Sequence, residues 1–175
     1  RQEKIQFQFE VLRNQVNPHF LFNSFNTLIS TIEDDPKMAV EYVEQLSDFF
    51  LNFVNYRDKE IISLKEETDL LQTYFFLQQK RHGTNVELRS GLSEQQKAQY
   101  FIPPLTLQLL MENAIKHNAV SKETKLTISL EITEDEYLLF KNNIHARLSK
   151  QEGAGMGLQN IINRYNLLTS KKVQI

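Results

Sequence analysis

A proline interrupts an amphipathic helical pattern near the start of this chain, and no other feature constrains the fold as much. Apolar residues recur at helical spacing before and after Pro18: Ile5, Phe9, Leu12, Val16, Leu21, Phe25, Leu28 and Ile32. A proline inside a helix costs about 3 kcal/mol, because it removes a backbone hydrogen bond and clashes with the preceding turn. The residue that follows is His19, and Asn23 lies one turn further along the same face. The segment from Gln15 to Asn26 therefore predicts a helix that presents His19 and Asn23 on an accessible face.

A second amphipathic helix is predicted directly after the first. The acidic stretch that ends at Asp35 predicts a turn, with Asp35 as the N-cap and Pro36 as the first helical residue. The apolar positions of this helix are Ala39, Tyr42, Val43, Leu46, Phe49, Phe50, Phe53 and Val54. Two such helices form a hairpin that cannot cover both of its apolar faces, whereas a second copy would complete a four-helix bundle. We therefore expect residues 1–59 to form a helical hairpin that makes a homodimer.

Residues 60–175 alternate between helical and strand patterns. A helix is predicted from about Ser63 to His82, because Ser63 and Glu66 have capping-box spacing and Gly83 follows as a stop. Further helices are predicted from Pro103-Pro104 to about His117 and after a glycine-rich stretch from Gly153 to Gly157. Strands are predicted at Val86–Leu88, Thr124–Ile132, Tyr137–Phe140 and, unfinished, Val173–Ile175. Helices alternating with largely antiparallel strands favour an α/β sandwich. The expected fold class is thus α+β, with a helical hairpin followed by an α/β sandwich that is incomplete at its C-terminal end.

Composition excludes several classes of function. The net charge of −2 gives no electrostatic footprint for nucleic acid. Cysteine is absent, which excludes disulfides and thiol chemistry. No apolar run approaches the 18 residues of a membrane span. Because the first residue is Arg1 and not methionine, we expect the chain to be part of a longer protein, attached to a membrane only through segments outside this sequence.

Two further segments have the composition of a nucleotide site. In the predicted helix that ends near His117, the side chains of Asn113, Lys116 and His117 share one face, and Glu112 lies about 100° around it. An amide oxygen can ligate Mg²⁺, and a lysine can neutralise phosphate oxygens. Alternating glycines at positions 153, 155 and 157 let backbone N–H groups approach an anion before a helix N-terminus.

Each segment has a plainer explanation when it is taken alone. A proline in a helix is usually a kink, a polar helix face is usually solvated, and a glycine-rich loop is often a flexible turn. The three segments in this order and spacing are much stronger evidence than any one of them.

The three segments together resemble the cytoplasmic core of LytS/YesM-type bacterial sensor histidine kinases. The matching motifs are Gln-Val-Asn-Pro-His-Phe-Leu-Phe-Asn-Ser-Phe-Asn from Gln15, Pro-Leu-Thr-Leu-Gln-Leu-Leu-Met-Glu-Asn-Ala-Ile-Lys-His from Pro104, and Gly-Met-Gly-Leu-Gln-Asn-Ile-Ile-Asn-Arg-Tyr from Gly155. The resemblance covers nearly the whole chain, and it implies that residues 60–175 form a catalytic ATP-binding domain of the Bergerat type.

The resemblance also implies roles for individual residues. His19 would be the phosphoacceptor, Asn113 the Mg²⁺ ligand, and Gly155, Gly157 and Leu158 would lie at the ATP lid and the phosphates. We add Gly153, Lys116 and His117 to the nucleotide-binding set. Glu112 is the candidate base or orienting group, and Asn23 is a candidate for positioning a water in the reverse, phosphatase reaction.

The implied activity is ATP- and Mg²⁺-dependent autophosphorylation of His19, followed by transfer to an aspartate of a response regulator, of the LytTR or AraC type. The implied location is the cytoplasmic portion of a protein of the inner or plasma membrane. The implied assembly is a homodimer.

Two positions depart from the family pattern. Asn142 stands where these kinases usually carry the aspartate that binds the adenine amino group, and Ile144 stands where they carry a glycine. An amide oxygen still accepts a hydrogen bond, but more weakly than a carboxylate. The main rival hypothesis is therefore a dimeric signalling scaffold that has lost catalysis. A third hypothesis, a Bergerat-type ATPase such as a chaperone, leaves the Asn-Pro-His segment unexplained.

Overall fold

The computed structural model describes residues 18–56, 58–145, 156–169 and 173, and they combine helices with two small sheets. The elements in chain order are α1 (Pro18–Asp34), α2 (Pro36–Tyr56), β1 (Ile62–Ser63), α3 (Leu64–His82), β2 (Val86–Ser90), α4 (Glu94–Gln99), β3 (Phe101–Ile102), α5 (Thr106–His117), β4 (Leu126–Ile132), β5 (Leu138–Asn142) and α6 (Met156–Leu168). The predicted α+β class is confirmed. The chain divides into two compact units, the first ending at Ser47 and the second beginning at Asp48.

The first unit contains α1 and the larger part of α2. Asp35 separates the two helices, and its Oδ1 accepts a hydrogen bond from Met38 N at 3.1 Å, which confirms the predicted cap. The buried residues recur at helical spacing on each helix: Phe20 and Ser24 on α1, and Ala39, Tyr42 and Leu46 on α2. Each helix therefore buries one face. The part of the predicted first helix that precedes Pro18 lies outside the described residues.

The second unit places helices on one face of a three-stranded sheet with the order β2-β4-β5. Strand β4 runs antiparallel to β5, as predicted, but parallel to β2. A parallel pair needs a long crossover, and here the chain from α4 through α5 supplies it. Helix α3 contacts β2, and α5 contacts both β4 and β5. The core on this face includes Leu126, Ile128 and Leu130, which are at most 2% exposed.

Local signals explain where α3 begins and ends. Ser63 Oγ accepts from Glu66 N at 3.2 Å, while Glu66 Oε2 accepts from Ser63 N at 2.8 Å, so the predicted capping box is present. Gly83 ends the helix with φ of 63°, a conformation that favours glycine.

The sequence predictions also missed or misplaced elements. Helix α4 and strand β3 were not predicted, whereas β1 overlaps a short β-like stretch that the sequence predicts at Ile61-Ile62. Helix α5 begins at Thr106 and not at the two prolines. Within the described residues, no helix has the length and apolar character that crossing a membrane requires.

Helix α5 is capped by a carboxylate from another helix. Its N-cap residue is Leu105, which has φ of 66° and no polar side chain that could bind the first turn. Glu67 of α3 does so: its Oε2 accepts from Leu105 N at 3.0 Å, and its Oε1 accepts from Leu107 N at 2.8 Å. Glu67 is completely buried. Burial raises the pKa of this carboxyl to about 7, although the backbone N–H groups and the charge of Arg164 act to lower the pKa.

We predict that Glu67 makes the free energy of unfolding depend on pH. Its pKa is about 7 in the folded state against 4.5 for an ordinary glutamate, so between these values the folded protein holds a proton that the unfolded chain releases. Stability from this group therefore falls as pH rises from about 4.5 to 7, by at most about 3 kcal/mol. Glu67→Gln should remove this decline, as measured by urea unfolding at several pH values.

Glu60→Gln, at an exposed carboxylate, is the control for loss of one negative charge. The carboxyls with lowered pKa, such as Glu66, lose their stabilising contribution only as pH falls toward 4 and are present in all three proteins. Parallel pH profiles for the unsubstituted and Glu67→Gln proteins would contradict the prediction.

Candidate functional site

His19 lies on the exposed side of α1, directly before the buried ring of Phe20. The Asn23 side chain lies one turn away, as the spacing predicted, with its Nδ2 3.1 Å from His19 Nδ1 and 3.2 Å from Nε2. An amide nitrogen can only donate, so a ring nitrogen of His19 accepts this bond. The contact orients the exposed ring, and the lone pair that accepts the bond is released when Asn23 moves away.

Helix α5 carries the predicted polar cluster. Asn113 and Lys116 are partly buried and lie one turn apart, while His117 at the end of the helix is exposed. Glu112 lies near α3, because its charge acts together with burial to raise the pKa of the Tyr74 phenol. Asn113 therefore offers an amide oxygen, and Lys116 a cation, on the same stretch of helix.

The side chain of Asn142, at the end of β5, has a fixed orientation. It pairs with Ile128 across the sheet and so lies on the face that carries the buried core. Its Nδ2 donates to the carbonyl of Asn143 at 2.7 Å. One N–H of the amide is used in this bond, and the amide oxygen can accept a hydrogen bond from a ligand. This bond opposes flipping of the amide.

Two asparagines that the sequence analysis did not single out hold the segment after β5 in place. Asn143 Oδ1 accepts from Thr127 N at 2.8 Å, and its Nδ2 donates to Lys125 O at 2.8 Å, as a strand residue would. Asn118 is buried, and its Oδ1 accepts from His145 N at 2.6 Å. Both lie just beyond a helix or strand end, where asparagine side chains often form hydrogen bonds with the backbone. These positions were the signal from which the two contacts could have been predicted. Ile144 is 80% exposed and lies between these anchored positions.

Helix α6 begins at Met156, so Gly157 lies in its first turn and the partly buried Leu158 follows. Gly153 and Gly155 lie outside the described residues. Further along α6, Arg164 Nη1 donates to the carbonyl of Pro104 at 2.9 Å. No local pattern indicated this contact, which joins residues 60 positions apart.

The second unit brings most of the predicted nucleotide-binding residues onto neighbouring elements. Helix α5, with Asn113 and Lys116, contacts both β5, which ends at Asn142, and α6, which contains Gly157. His19 and Asn23 belong to the first unit.

These residues fit a nucleotide with a magnesium ion. An acceptor suited to an adenine amino group lies at Asn142, and a cation suited to phosphate lies at Lys116. The described residues contain no cluster of three or more His, Cys, Asp or Glu side chains. Mg²⁺ usually keeps several waters and binds substrate phosphates as well as a few protein oxygens, so the Asn113 amide oxygen would serve as a protein ligand.

Comparison with known proteins supports a histidine kinase. The family model described as Histidine kinase matches residues 7–86, which include His19 and Glu67. The sensor protein LytS of Bacillus cereus is 29% identical over 183 residues, covering 96% of this chain and 31% of the relative. LytS of Staphylococcus epidermidis is 32% identical, covering 75% of this chain and 22% of the relative. The sensor histidine kinase BtsS of Escherichia coli K12 is 37% identical, covering 64% and 20%.

The chain thus spans less than a third of the length of these relatives. The matched region includes the Asn-Pro-His segment and, in the longer alignments, nearly all of the second unit. The chain belongs to the histidine kinase family, among the LytS-type sensor kinases.

Proposed function

We propose that this chain is the kinase core of a two-component sensor, which phosphorylates His19 with Mg²⁺-ATP and passes the phosphoryl group to an aspartate of a response regulator. The observation that carries the proposal is the contact between the exposed His19 imidazole and the Asn23 amide, 3.1 Å apart. The contact orients the His19 ring at an accessible position, and release of this bond leaves a ring nitrogen able to act as the attacking nucleophile.

The chemistry divides between the two units. A lone pair of the His19 imidazole attacks the γ-phosphorus, the bond from that phosphorus to the β–γ bridging oxygen breaks, ADP leaves, and the imidazole gives up its N–H proton. Phosphoryl transfer depends mainly on positioning and charge neutralisation. Lys116 and the amides of the glycine stretch that ends at Gly157 would neutralise charge on the phosphates, and Asn113 would hold the Mg²⁺ that supplies Lewis-acid stabilisation. We assign Glu112 as acceptor of the imidazole proton.

Adenine recognition is assigned to Asn142. Its amide oxygen would accept from the adenine amino group, while the bond from its nitrogen to Asn143 O keeps the oxygen pointing to the ligand. Guanine carries a carbonyl at the equivalent position and would face this oxygen with a second acceptor. We therefore expect weak but selective binding of ATP over GTP.

The first unit is assigned to dimerisation. Helix α1 exposes four large apolar side chains at the 3-4-3 spacing of a coiled-coil seam: Phe22, Phe25, Ile29 and Ile32, which are 47–69% exposed. Helix α2 adds Val40 and Val43, at least 45% exposed. Large exposed apolar patches usually mark interfaces, and a second copy of the same hairpin would cover this one. The longer protein would then be a homodimeric membrane sensor, with this chain on its cytoplasmic side and a LytTR- or AraC-type regulator as its partner.

The first prediction concerns the phosphoacceptor. His19→Ala should abolish phosphate incorporation from radiolabelled ATP, yet leave ATP affinity within twofold, because the proposed nucleotide groups lie in the other unit. Asn23→Ala should slow incorporation without abolishing it, because the imidazole loses its orienting donor. Asn26→Ala, an exposed asparagine on the same helix, is the matched control and should react at the normal rate. Undiminished labelling of His19→Ala would exclude His19 as the acceptor.

The second prediction concerns adenine. Asn142→Asp should sharpen discrimination of ATP against GTP by about 1 kcal/mol, the difference between a neutral and a charge-assisted hydrogen bond. The ratio of the two affinities is the quantity compared, because the aspartate also loses the bond to Asn143 O and this loss affects both nucleotides. Asn55→Asp, the same chemical change at an exposed position of α2, should leave the ratio unchanged. Calorimetric titration of the three proteins with both nucleotides provides the comparison. An unchanged ratio in Asn142→Asp would show that Asn142 does not contact adenine.

The third prediction concerns assembly. Ile29→Glu should convert a dimer into a monomer in sedimentation velocity, because a charge cannot be buried in an apolar seam without a partner. Ser30→Glu places the same charge on the neighbouring exposed residue and should leave the dimer intact. A folded, unsubstituted protein that sediments as a monomer would refute the assigned interface.

A further inference from the structure

Three helices of the second unit meet at one polar junction, formed by Glu67 of α3, the turn from Pro103 to Leu107 that starts α5, and Arg164 of α6. Glu67 accepts from the N–H groups of Leu105 and Leu107. Arg164 donates to the carbonyl of Pro104, which is the residue before Leu105. A carboxylate and a guanidinium thus bind consecutive groups of one backbone turn, the first from α3 and the second from α6.

Arg164 acts on the junction through its charge as well as through its hydrogen bond. Its guanidinium favours the ionised form of the buried Glu67 and so lowers the pKa of that carboxyl. The adjacent residue, Tyr165, lies near the Thr106 side chain, which acts to lower the pKa of its phenol although burial raises that pKa. Thr106 Oγ1 in turn donates to Pro103 O at 2.6 Å. Two successive residues of α6 therefore lie beside the turn that starts α5.

The junction lies about two helical turns from the glycine stretch. Gly157 is in the first turn of α6, and Arg164 follows on the same helix. A helix of this length is stiff, so whatever fixes Arg164 also fixes the direction in which α6 and its N-terminal amides point. The other end of the junction is α5, which carries Asn113 and Lys116.

We propose that Arg164 is a positioning residue, which holds the helix after the glycine stretch at a set distance from the phosphate- and magnesium-binding groups of α5. This inference rests on the proposed nucleotide-binding function. The adenine contact assigned to Asn142 is held by a different set of bonds, from Asn143 and β4. Loss of Arg164 therefore weakens binding of the phosphates and leaves binding of adenine unchanged.

The test compares a ligand that has the full phosphate chain with one that has a single phosphate. Affinities for Mg²⁺-ATP and for AMP are measured by calorimetry, with AMP titrated in competition where it binds weakly. Arg164→Met should weaken Mg²⁺-ATP binding about tenfold and AMP binding less than twofold. Arg164→Lys keeps the charge and one donor, and should lose a few-fold in Mg²⁺-ATP affinity only. Arg89→Met, at an exposed arginine paired with Glu87, should change neither affinity.

The outcomes separate the possible failures. Equal losses for both ligands, or no loss for Mg²⁺-ATP, would overturn the positioning role while leaving the proposed kinase function in place. An unsubstituted protein that binds neither ligand would overturn the proposed function and this inference with it. If Arg164→Met does not fold, as judged by its circular dichroism spectrum, the selective loss expected for Arg164→Lys decides the question.

Discussion

The second unit depends on one buried carboxylate. Helix α5 begins after two prolines at a leucine with positive φ, so its own sequence supplies no side chain to bind the N–H groups of its first turn. Glu67 binds two of them from α3 while remaining completely buried. Backbone outliers of this kind cost on the order of 1–3 kcal/mol and persist only where surrounding bonds fix them. Since α5 also contacts β4, β5 and α6, the sheet and the proposed phosphate-binding groups are positioned through this contact.

Amide side chains form many of the other hydrogen bonds at the candidate site. Asn23 donates to His19, Asn143 takes the place of a strand residue beside β4, and Asn118 holds His145 at the end of α5. An amide can donate from one atom and accept at the other, so it can hold its own segment and still offer an atom to a ligand. Asn142 shows the consequence: its nitrogen donates to Asn143 O, and its oxygen is the acceptor in the proposed adenine contact. A neutral residue at this position is therefore compatible with nucleotide recognition.

Short-range chemistry explains which parts of the structure could be predicted from sequence. Asp35 before Pro36, the Ser63–Glu66 capping box and Gly83 all mark helix ends through bonds to residues within four positions, and the structure confirms each of them. The alternation in Leu126–Ile132 likewise predicted β4. Contacts between distant residues carry no such local signal. In the sequence, Glu67 is indistinguishable from other polar helix residues, and Arg164 from other surface cations. Their partners, Leu107 and Pro104, lie 40 and 60 positions away in the chain. The parallel pairing of β2 with β4 was missed for the same reason, since it depends on how α5 crosses the sheet.

The proposed function requires that a phosphoryl group becomes bonded to a ring nitrogen of His19. The chemical stability of the labelled protein tests this claim most directly, because a phosphorus–nitrogen bond to imidazole hydrolyses in acid and survives alkali, whereas phosphate esters of serine and threonine survive acid. After incubation with radiolabelled Mg²⁺-ATP, we expect a label that is lost in acid, retained in alkali and located by peptide mapping to the segment around His19. A label that survives acid, or one that maps elsewhere in the chain, would contradict the proposed function.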